Sequence, residues 1–281
     1  MPELPEVETI ARALQFGGRG GDSIVGKQIR TVQLNWERSL EAPLPEIFKF
    51  KIQGQTIEQV GRRGKFLVIR LSEHHLIFHL RMSGDLRIEN GMLNIGDFSP
   101  NQNHDHFWAE FQDGSRLVFN DPRKFGRIWL VEDPQTVYKN LGPEPLGSEL
   151  SSDKFHRRLV TYHRQIKPLL LDQSFLAGMG NIYTDEALHR AGIHPRKLSN
   201  LIDFEKAALL LLSIREVLTE GILRNGASID WVYRGGDFQN TFRVYQKNGE
   251  NCQVCGEQIQ RILVGQRGTH FCPNCQLDPK E

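Results

Sequence analysis

All four cysteines fall within the last thirty residues, as Cys252-x2-Cys255 and Cys272-x2-Cys275, with sixteen residues between the pairs. Two knuckles at that separation let four thiolates close one tetrahedral site, with Gly256 and Pro273 helping the turns. Disulfides are the competing reading, and the reducing cytosol expected for this chain opposes them. The spacing therefore predicts one structural Zn2+. With no open coordination position, the metal folds the tail rather than doing chemistry. Ile259, Ile262, Val264 and Phe271 around Gly265-Gln266-Arg267-Gly268 predict a β-hairpin whose tip carries Arg267. Zinc ribbons occur in nucleic-acid binders, enzymes and scaffolds alike, so the metal does not fix the function.

Upstream of this tail the chain divides by periodicity. At 281 residues and 39% hydrophobic content it suits two or three domains with real cores. No apolar run approaches the ~18 to 20 residues of a membrane helix, and the acidic start lacks the features of a secretory signal, so a cytoplasmic location is expected. After one N-terminal helix, short apolar runs at 66–71, 76–80, 107–111, 117–119 and 128–131 read as strands. Asp113-Gly114 makes a good hairpin turn between two of them, and the regular spacing predicts an all-β sandwich or barrel. Leu141-Gly142-Pro143-Glu144-Pro145-Leu146-Gly147-Ser148 breaks all periodicity and marks a boundary.

Beyond the boundary the period becomes helical, starting near Ser151. A long helix is marked by Phe204, Ala207, Leu211, Ile214, Leu218 and Ile222, capped by Asp203 and ended by Asn225-Gly226. Leu176-Ala177-Gly178-Met179-Gly180-Asn181 is a Gly-rich turn into a helix that stops at Gly192. A helix-turn-helix and an ordinary bundle both accommodate such a connection.

The N-terminus opens Met1-Pro2-Glu3-Leu4-Pro5-Glu6. Removing Met1 would leave a proline secondary amine beside a carboxylate, a covalent catalyst able to attack an electrophilic sugar carbon. The plain reading is helix chemistry. Pro5 suits the first turn, Glu6 and Glu8 suit the positive end, and Val7, Ile10, Ala11 and Leu14 form one apolar stripe. Three basic runs stand out: Arg62, Arg63, Lys65 and Arg70; Arg123, Lys124 and Arg127; Lys154, Arg157, Arg158, Arg164 and Lys167. The net charge is +1, and four zinc-bound thiolates would make it slightly negative. Affinity for phosphate must then come from where these runs cluster.

Pro2-Glu3-Leu4-Pro5-Glu6-Val7-Glu8-Thr9, the Arg63-Gly64-Lys65 turn, His79-Leu80-Arg81-Met82-Ser83-Gly84, Asn120-Asp121-Pro122-Arg123-Lys124-Phe125-Gly126, Ala177-Gly178-Met179-Gly180-Asn181-Ile182-Tyr183 and the cysteine tail occur in one order. Together they resemble the formamidopyrimidine-DNA glycosylase family from residue 1 to about 276, and Leu4-Pro5-Glu6 looks like that branch rather than the endonuclease VIII (Nei) branch. The resemblance implies an α+β multidomain protein. Its parts would be an N-terminal helix and β-sandwich over 1–140, a linker over 141–150, a helix-two-turns-helix domain over 151–236 and a zinc-finger β-hairpin over 237–281.

It also implies a bifunctional enzyme that removes oxidised purines, chiefly 8-oxoguanine and formamidopyrimidines, from duplex DNA and then cuts the strand by β- and δ-elimination. The damaged nucleotide is rotated out of the stack. Pro2 would attack C1′ and form an iminium, Glu3 would be the general acid, and Glu6 would orient the terminus. The amine must be neutral. A terminal amine titrates at about 7.7 to 8.0, lowered by a helix N-terminus and raised by Glu3 and Glu6. Lys65, Asn181 and Arg267 would contact phosphates, with Asn181 also capping the helix that starts at Ile182. Met82, Arg123 and Phe125 would fill the hole left by the extruded base, with Arg123 reading the orphaned partner. His104 and Lys167 join the DNA contacts. His104-Asp105-His106 has no third metal ligand and reads as structural.

Residues 227–240, containing Asp230-Trp231-Val232-Tyr233, resemble the loop that covers the extruded base, though shorter than in many relatives. Gln246-Lys247 stands where Gly-Arg is usual. Cys252, Cys255, Cys272 and Cys275 would hold the zinc. The expected partner is duplex DNA with an oxidised purine or abasic site. A cytoplasmic, nucleoid-associated bacterial monomer, with no membrane association, is expected. Two rivals remain: a Nei-type enzyme preferring oxidised pyrimidines, and a catalytically silent damaged-DNA binder.

Overall fold

The computed structural model of the chain describes residues 1–89, 102–228 and 235–277. Two compact units emerge. One comprises Met1–Lys139 with Gly226–Gly236, the other Asn140–Asn225 with Asp237–Glu281. The described residues 226–228 thus group with the N-terminal unit, whereas the sequence put them at the end of the helical segment.

The N-terminal unit starts with α1 (Leu4–Phe16). Val7, Ile10, Ala11 and Leu14 lie on its buried stripe, at most 3% exposed. There follow β1 (Ile29–Leu34), β2 (Leu40–Ala42), α2 (Pro45–Ile52), β3 (Ile57–Arg63), β4 (Phe66–Leu71), β5 (His75–His79) and β6 (Asp85–Glu89). Then come β7 (Asp105–Phe111), β8 (Arg116–Asn120), β9 (Arg127–Val131) and a single helical turn, α3 (Gln135–Tyr138).

Among the described residues the strands form two sheets, ordered β1-β7-β8-β6 and β2-β9-β5-β4-β3, antiparallel except for β2 against β9. Side chains alternate across each strand, as in β9, where Ile128 and Leu130 point inward opposite Phe78 and Leu76. The two inner faces share one core. Phe78 of β5 meets Phe107 of β7 and Phe119 of β8 at centroid distances of 5.7 and 5.5 Å. α1 closes this sandwich against β3 and β4.

In the second unit α4 (Ser152–Val160) begins where Ser151 accepts the Lys154 N–H. α5 (Ile166–Leu171) and α6 (Asn181–Ala191) follow, with left-handed Gly192 closing α6. α7 (Phe204–Leu223) is capped by Asp203, which accepts the Lys206 N–H at 2.7 Å. α4 and α6 both pack on α7. β10 (Gln260–Val264) and β11 (Arg267–Phe271) make the terminal hairpin, joined by Gly265 and Gln266 at φ 55° and 62°. That pair of left-handed residues is the turn that matches strand twist.

The segment expected to be a linker is built into this unit. Arg215 of α7 donates to the carbonyls of Pro145, Gly147 and Leu150 at 2.9, 3.1 and 2.7 Å. Arg215→Ala is expected to destabilise this unit by about 2 kcal/mol, since a charged donor to several carbonyls is lost at once. Arg215→Lys should restore less than half, because an ammonium cannot fork. Urea midpoints check both, and an unchanged midpoint would show that the clamp contributes nothing.

Candidate active site and nucleic-acid interface

The start of the chain is held by carboxylates. Glu3 is the N-cap of α1 and forms a reciprocal capping box with Glu6, whose Oε2 accepts the Glu3 N–H at 2.7 Å. Glu6 Oε1 also accepts the Ala227 N–H at 2.8 Å. Gly226 makes this approach possible. Its φ is 81°, and a Cβ there would stand 2.6 Å from the same oxygen. Glu3 and Glu6 are only 3% and 2% exposed, and Pro2 is buried with them. Met1, by contrast, is 46% exposed. It lines a cavity of about 330 Å³ together with Arg81, Met82, Phe125 and Arg127.

Lys65 follows left-handed Gly64 in the β3–β4 turn and is 5% exposed, not the solvated strand-end lysine its position suggests. Its charge acts on His79, which pairs with Phe66 across β4 and β5 and meets that ring edge-on at 4.7 Å. Burial, then the charges of Arg81 and Lys65, push the His79 imidazole down to about 3. The neutral ring accepts the Arg81 N–H through Nδ1 at 3.0 Å, holding Arg81 at φ 55°.

Met82 is half-buried, and Phe125 is 48% exposed on the β8–β9 loop. The Arg123 guanidinium sits 5.2 Å from the Phe125 ring centroid, and Lys124 Nζ sits 4.4 Å from that of Trp36. These two cations are exposed. The other basic runs are largely neutralised. Arg62 pairs with Glu8 at 2.7 Å, Arg70 with Glu58 at 2.9 Å, Arg164 with Asp172 at 2.7 Å, and Arg157 with Asp153.

His104 belongs to a short 3-10 turn before β7, so it does not share a strand face with His106. Its carbonyl accepts the Asp121 N–H at 2.9 Å. Asp105 accepts from Arg87 and Asn120, and His106 Nε2 reaches the Asp121 carbonyl at 2.7 Å. Through the His104 carbonyl and the His106 ring the triplet braces Asp121 at the start of the β8–β9 loop.

In the second unit Lys167 is a correction. It is fully buried, bonded to Asp185 at 2.6 Å and donating to the Gly268 carbonyl at 3.0 Å, so it presents no ammonium to a phosphate. The basic run hid its partner, which lies on the following helix. Asn181 is also placed differently. Gly180 is the N-cap of α6, and Asn181 Nδ2 donates to the Gly268 carbonyl at 3.0 Å. Asp185 Oδ2 takes the His270 N–H, and Glu186 takes the N–H groups of Arg243, Val244 and Tyr245. α6 therefore organises the approach to the hairpin as well as its second strand. Arg267 stands exposed beside the turn. Gln246 holds φ 59°, a conformation that glycine adopts without strain.

The four cysteine sulfurs lie within 4.8 Å of one another, the one such ligand set among the described residues. Cys255 and Cys272 are 3.4 Å apart, Cys252 and Cys275 3.9 Å. A tetrahedron with Zn–S of about 2.3 Å has edges of about 3.8 Å, and a disulfide needs about 2.05 Å. The set fits zinc, and its spacings are too long for a disulfide. Behind it, His189 Nε2 of α6 reaches Cys252 Sγ at 3.5 Å. Residues 229–234, with Asp230-Trp231-Val232-Tyr233, lie outside the described residues.

Residues 1–128 match the formamidopyrimidine-DNA glycosylase N-terminal domain, 141–232 its H2TH domain, and 249–277 the zinc finger found in FPG and IleRS. The chain belongs to the formamidopyrimidine-DNA glycosylase family. It is 41% identical over 284 residues to the formamidopyrimidine-DNA glycosylase of Herpetosiphon aurantiacus, spanning 98% of this chain and 100% of that one. With that of Protochlamydia amoebophila it shares 39% over 285 residues, covering 98% and 99%. Among solved structures, the Lactococcus lactis FPG (MutM) in complex with FAPY-dG DNA superposes with a TM-score of 0.87 at 38% identity, covering 98% and 100%. MutM in complex with carbocyclic 8-oxo-G DNA does so at 0.87 and 39%, covering 99% and 100%. In this glycosylase the sandwich, the helical domain and the four-cysteine zinc finger are all present, and the cysteines are the ligands of a structural Zn2+.

Two outcomes follow for this family member. His79 is protonated more readily unfolded, at about 6.5, than folded, at about 3. Its contribution to stability is therefore complete above about pH 7 and is lost as pH falls below 6.5. His79→Asn should flatten the stability profile between pH 5 and 7 relative to the parent, measured by urea unfolding. An unchanged slope would remove His79 from the account. Cys252→Ser should abolish stoichiometric zinc by metal analysis and weaken duplex binding while leaving the β-rich circular dichroism signal. Retained affinity would mean the hairpin does not grip DNA.

Proposed function

We propose that this chain excises oxidised purines, 8-oxoguanine and formamidopyrimidines, from duplex DNA and then cleaves the resulting abasic site as a lyase. The observation that carries the reading is the placing of Met1 in the cavity lined by Met82 and Phe125, directly ahead of Pro2 and Glu3. Removing Met1 opens the Pro2 nitrogen toward that cavity. The solved relatives bind DNA bearing FAPY-dG, 8-oxo-G or an abasic site, which fits the same lesions here.

The neutral Pro2 nitrogen attacks C1′ of an extruded nucleotide, the base departs with the glycosidic electron pair, and the nitrogen then sheds its proton, which balances the proton the base takes up and returns a lone pair to the nitrogen. Glu3 protonates the sugar ring oxygen, so that the nitrogen lone pair completes an iminium as the ring opens. Loss of a proton from C2′ then expels the 3′ phosphate, and a second elimination expels the 5′ phosphate. Glu6 holds the terminus through the Glu3 N–H and fixes where the amine points. Lys65, Asn181, Arg267 and His104 act on the DNA backbone, while Met82, Arg123 and Phe125 occupy the emptied stack and Arg123 reads the unpaired base. The protein works as a cytoplasmic monomer on duplex DNA; its similar relatives are bacterial.

Borohydride should trap a covalent adduct between the Met1-free protein and 8-oxoguanine duplex, with Pro2→Gly nearly eliminating it. Glu3→Gln should lower kcat by about 10²- to 10⁴-fold while leaving duplex affinity nearly intact. No adduct from correctly processed, zinc-loaded protein would sink the mechanism, and faster action on thymine glycol would move the chain to the oxidised-pyrimidine class.

A further inference from the structure

We propose that the buried carboxylate of Asp121, together with Ser83, is a positioning pair that joins the Met82 loop and the Arg123-Phe125 loop into one preformed wedge. Asp121 has zero exposure and lies in neither group of expected DNA contacts. Its Oδ2 accepts the Gly126 N–H at 2.6 Å, and its Oδ1 accepts the Arg123 N–H at 3.2 Å and the Ser83 hydroxyl. Ser83 Oγ accepts the same Arg123 N–H at 3.2 Å. Every one of these groups is either a wedge residue's own amide or the neighbour of one. Ser83 follows Met82, and Gly126 follows Phe125.

The rest of the surroundings leaves the two loops little freedom to move apart. The Phe119 ring packs beneath both, so close that a Cβ on Gly126 would stand 2.3 Å from it and one on Gly84 2.9 Å. Each loop also holds a non-glycine residue in the left-handed region, Arg81 at φ 55° and Lys124 at φ 60°. Such backbones persist only where the surroundings over-determine them. Here the His79 ring accepts from Arg81, while the Asp121 carbonyl accepts the Lys124 N–H at 3.1 Å. His106 Nε2 grips that same carbonyl. A wedge built this way need not order itself when it enters the stack, and Arg123 reaches the orphaned base from a fixed start.

The inference rests on the proposed role of Met82, Arg123 and Phe125 in filling the void, so Arg123→Ala serves as the reference. The test compares kcat/KM on 8-oxoguanine opposite cytosine and opposite adenine, with borohydride trapping on a single-stranded abasic oligonucleotide as a measure of chemistry alone. Ser83→Ala and Asp121→Asn should each reduce the opposite-base ratio by roughly tenfold, the same loss expected of Arg123→Ala. Single-strand trapping should stay at the parental rate, and Ser83→Thr should restore the ratio. If Arg123→Ala changes the ratio and Ser83→Ala does not, the positioning pair is wrong while the void-filling role stands. If Arg123→Ala leaves the ratio unchanged, both fall. An equal loss on all three substrates would mark Asp121 and Ser83 as general fold supports and overturn the inference. Should Asp121→Asn fail to fold, Ser83→Ala, which deletes a single oxygen, decides the matter.

Discussion

A carboxylate at the third position of the first helix sets where the start of the chain stands. Glu6 takes the amide of Glu3 on one oxygen and the amide of Ala227 on the other. Two segments 221 residues apart thus meet on one buried group. A free chain terminus is ordinarily among the most mobile parts of a protein. Here it is tied down from both sides, and the apolar stripe of α1 anchors the helix behind it. The amine proposed above as the nucleophile would gain from such restraint, because orientation fixed in advance does not have to be found in each turnover.

Much of the fold was legible because its signals are local. The strand runs from 66 onward, the helical start near Ser151, the Asp203 cap and the cysteine spacing each depend on residues close in sequence, and each appears in the structure within a residue or two. The motifs at Pro2, Met82 and Phe125 were found as strings, and the N-terminal unit gathers Met1, Met82 and Phe125 around one cavity. What escaped were partners distant along the chain. Lys167 looked like one more cation in a basic run, and nothing near it announces Asp185. Asn181 looked like a cap, but its amide serves Gly268 instead. Asp121 reads as an ordinary turn aspartate before proline, and only the fold shows that Ser83 is its neighbour. The segment after Asn225 looked like the tail of the helical domain because no periodicity marks a contact made by a single backbone amide.

The distribution of charge repeats this lesson on a larger scale. Runs of arginine and lysine suggested three phosphate-binding stretches, yet most members already have carboxylate partners. Exposed pairs such as Arg70 with Glu58 contribute little to stability, at most about 1 kcal/mol. They nonetheless remove positive potential from the surface. Arg123 and Lys124 lie over aromatic rings, which attract a cation without neutralising it. Field strength is thereby retained beside Phe125 and Met82.

The fully buried pair of Lys167 and Asp185 constrains how this sequence can drift. Replacing either residue alone strands an opposite charge at zero exposure, at a cost of about 3 to 5 kcal/mol, whereas a matched apolar pair can be neutral. Because Asp185 also holds the His270 amide and Lys167 the Gly268 carbonyl, even a double replacement must find new partners for the strand that bears Arg267. The two positions are therefore locked to one another and to the hairpin, and a lineage that altered one would have to pass through an intermediate with a loosened finger.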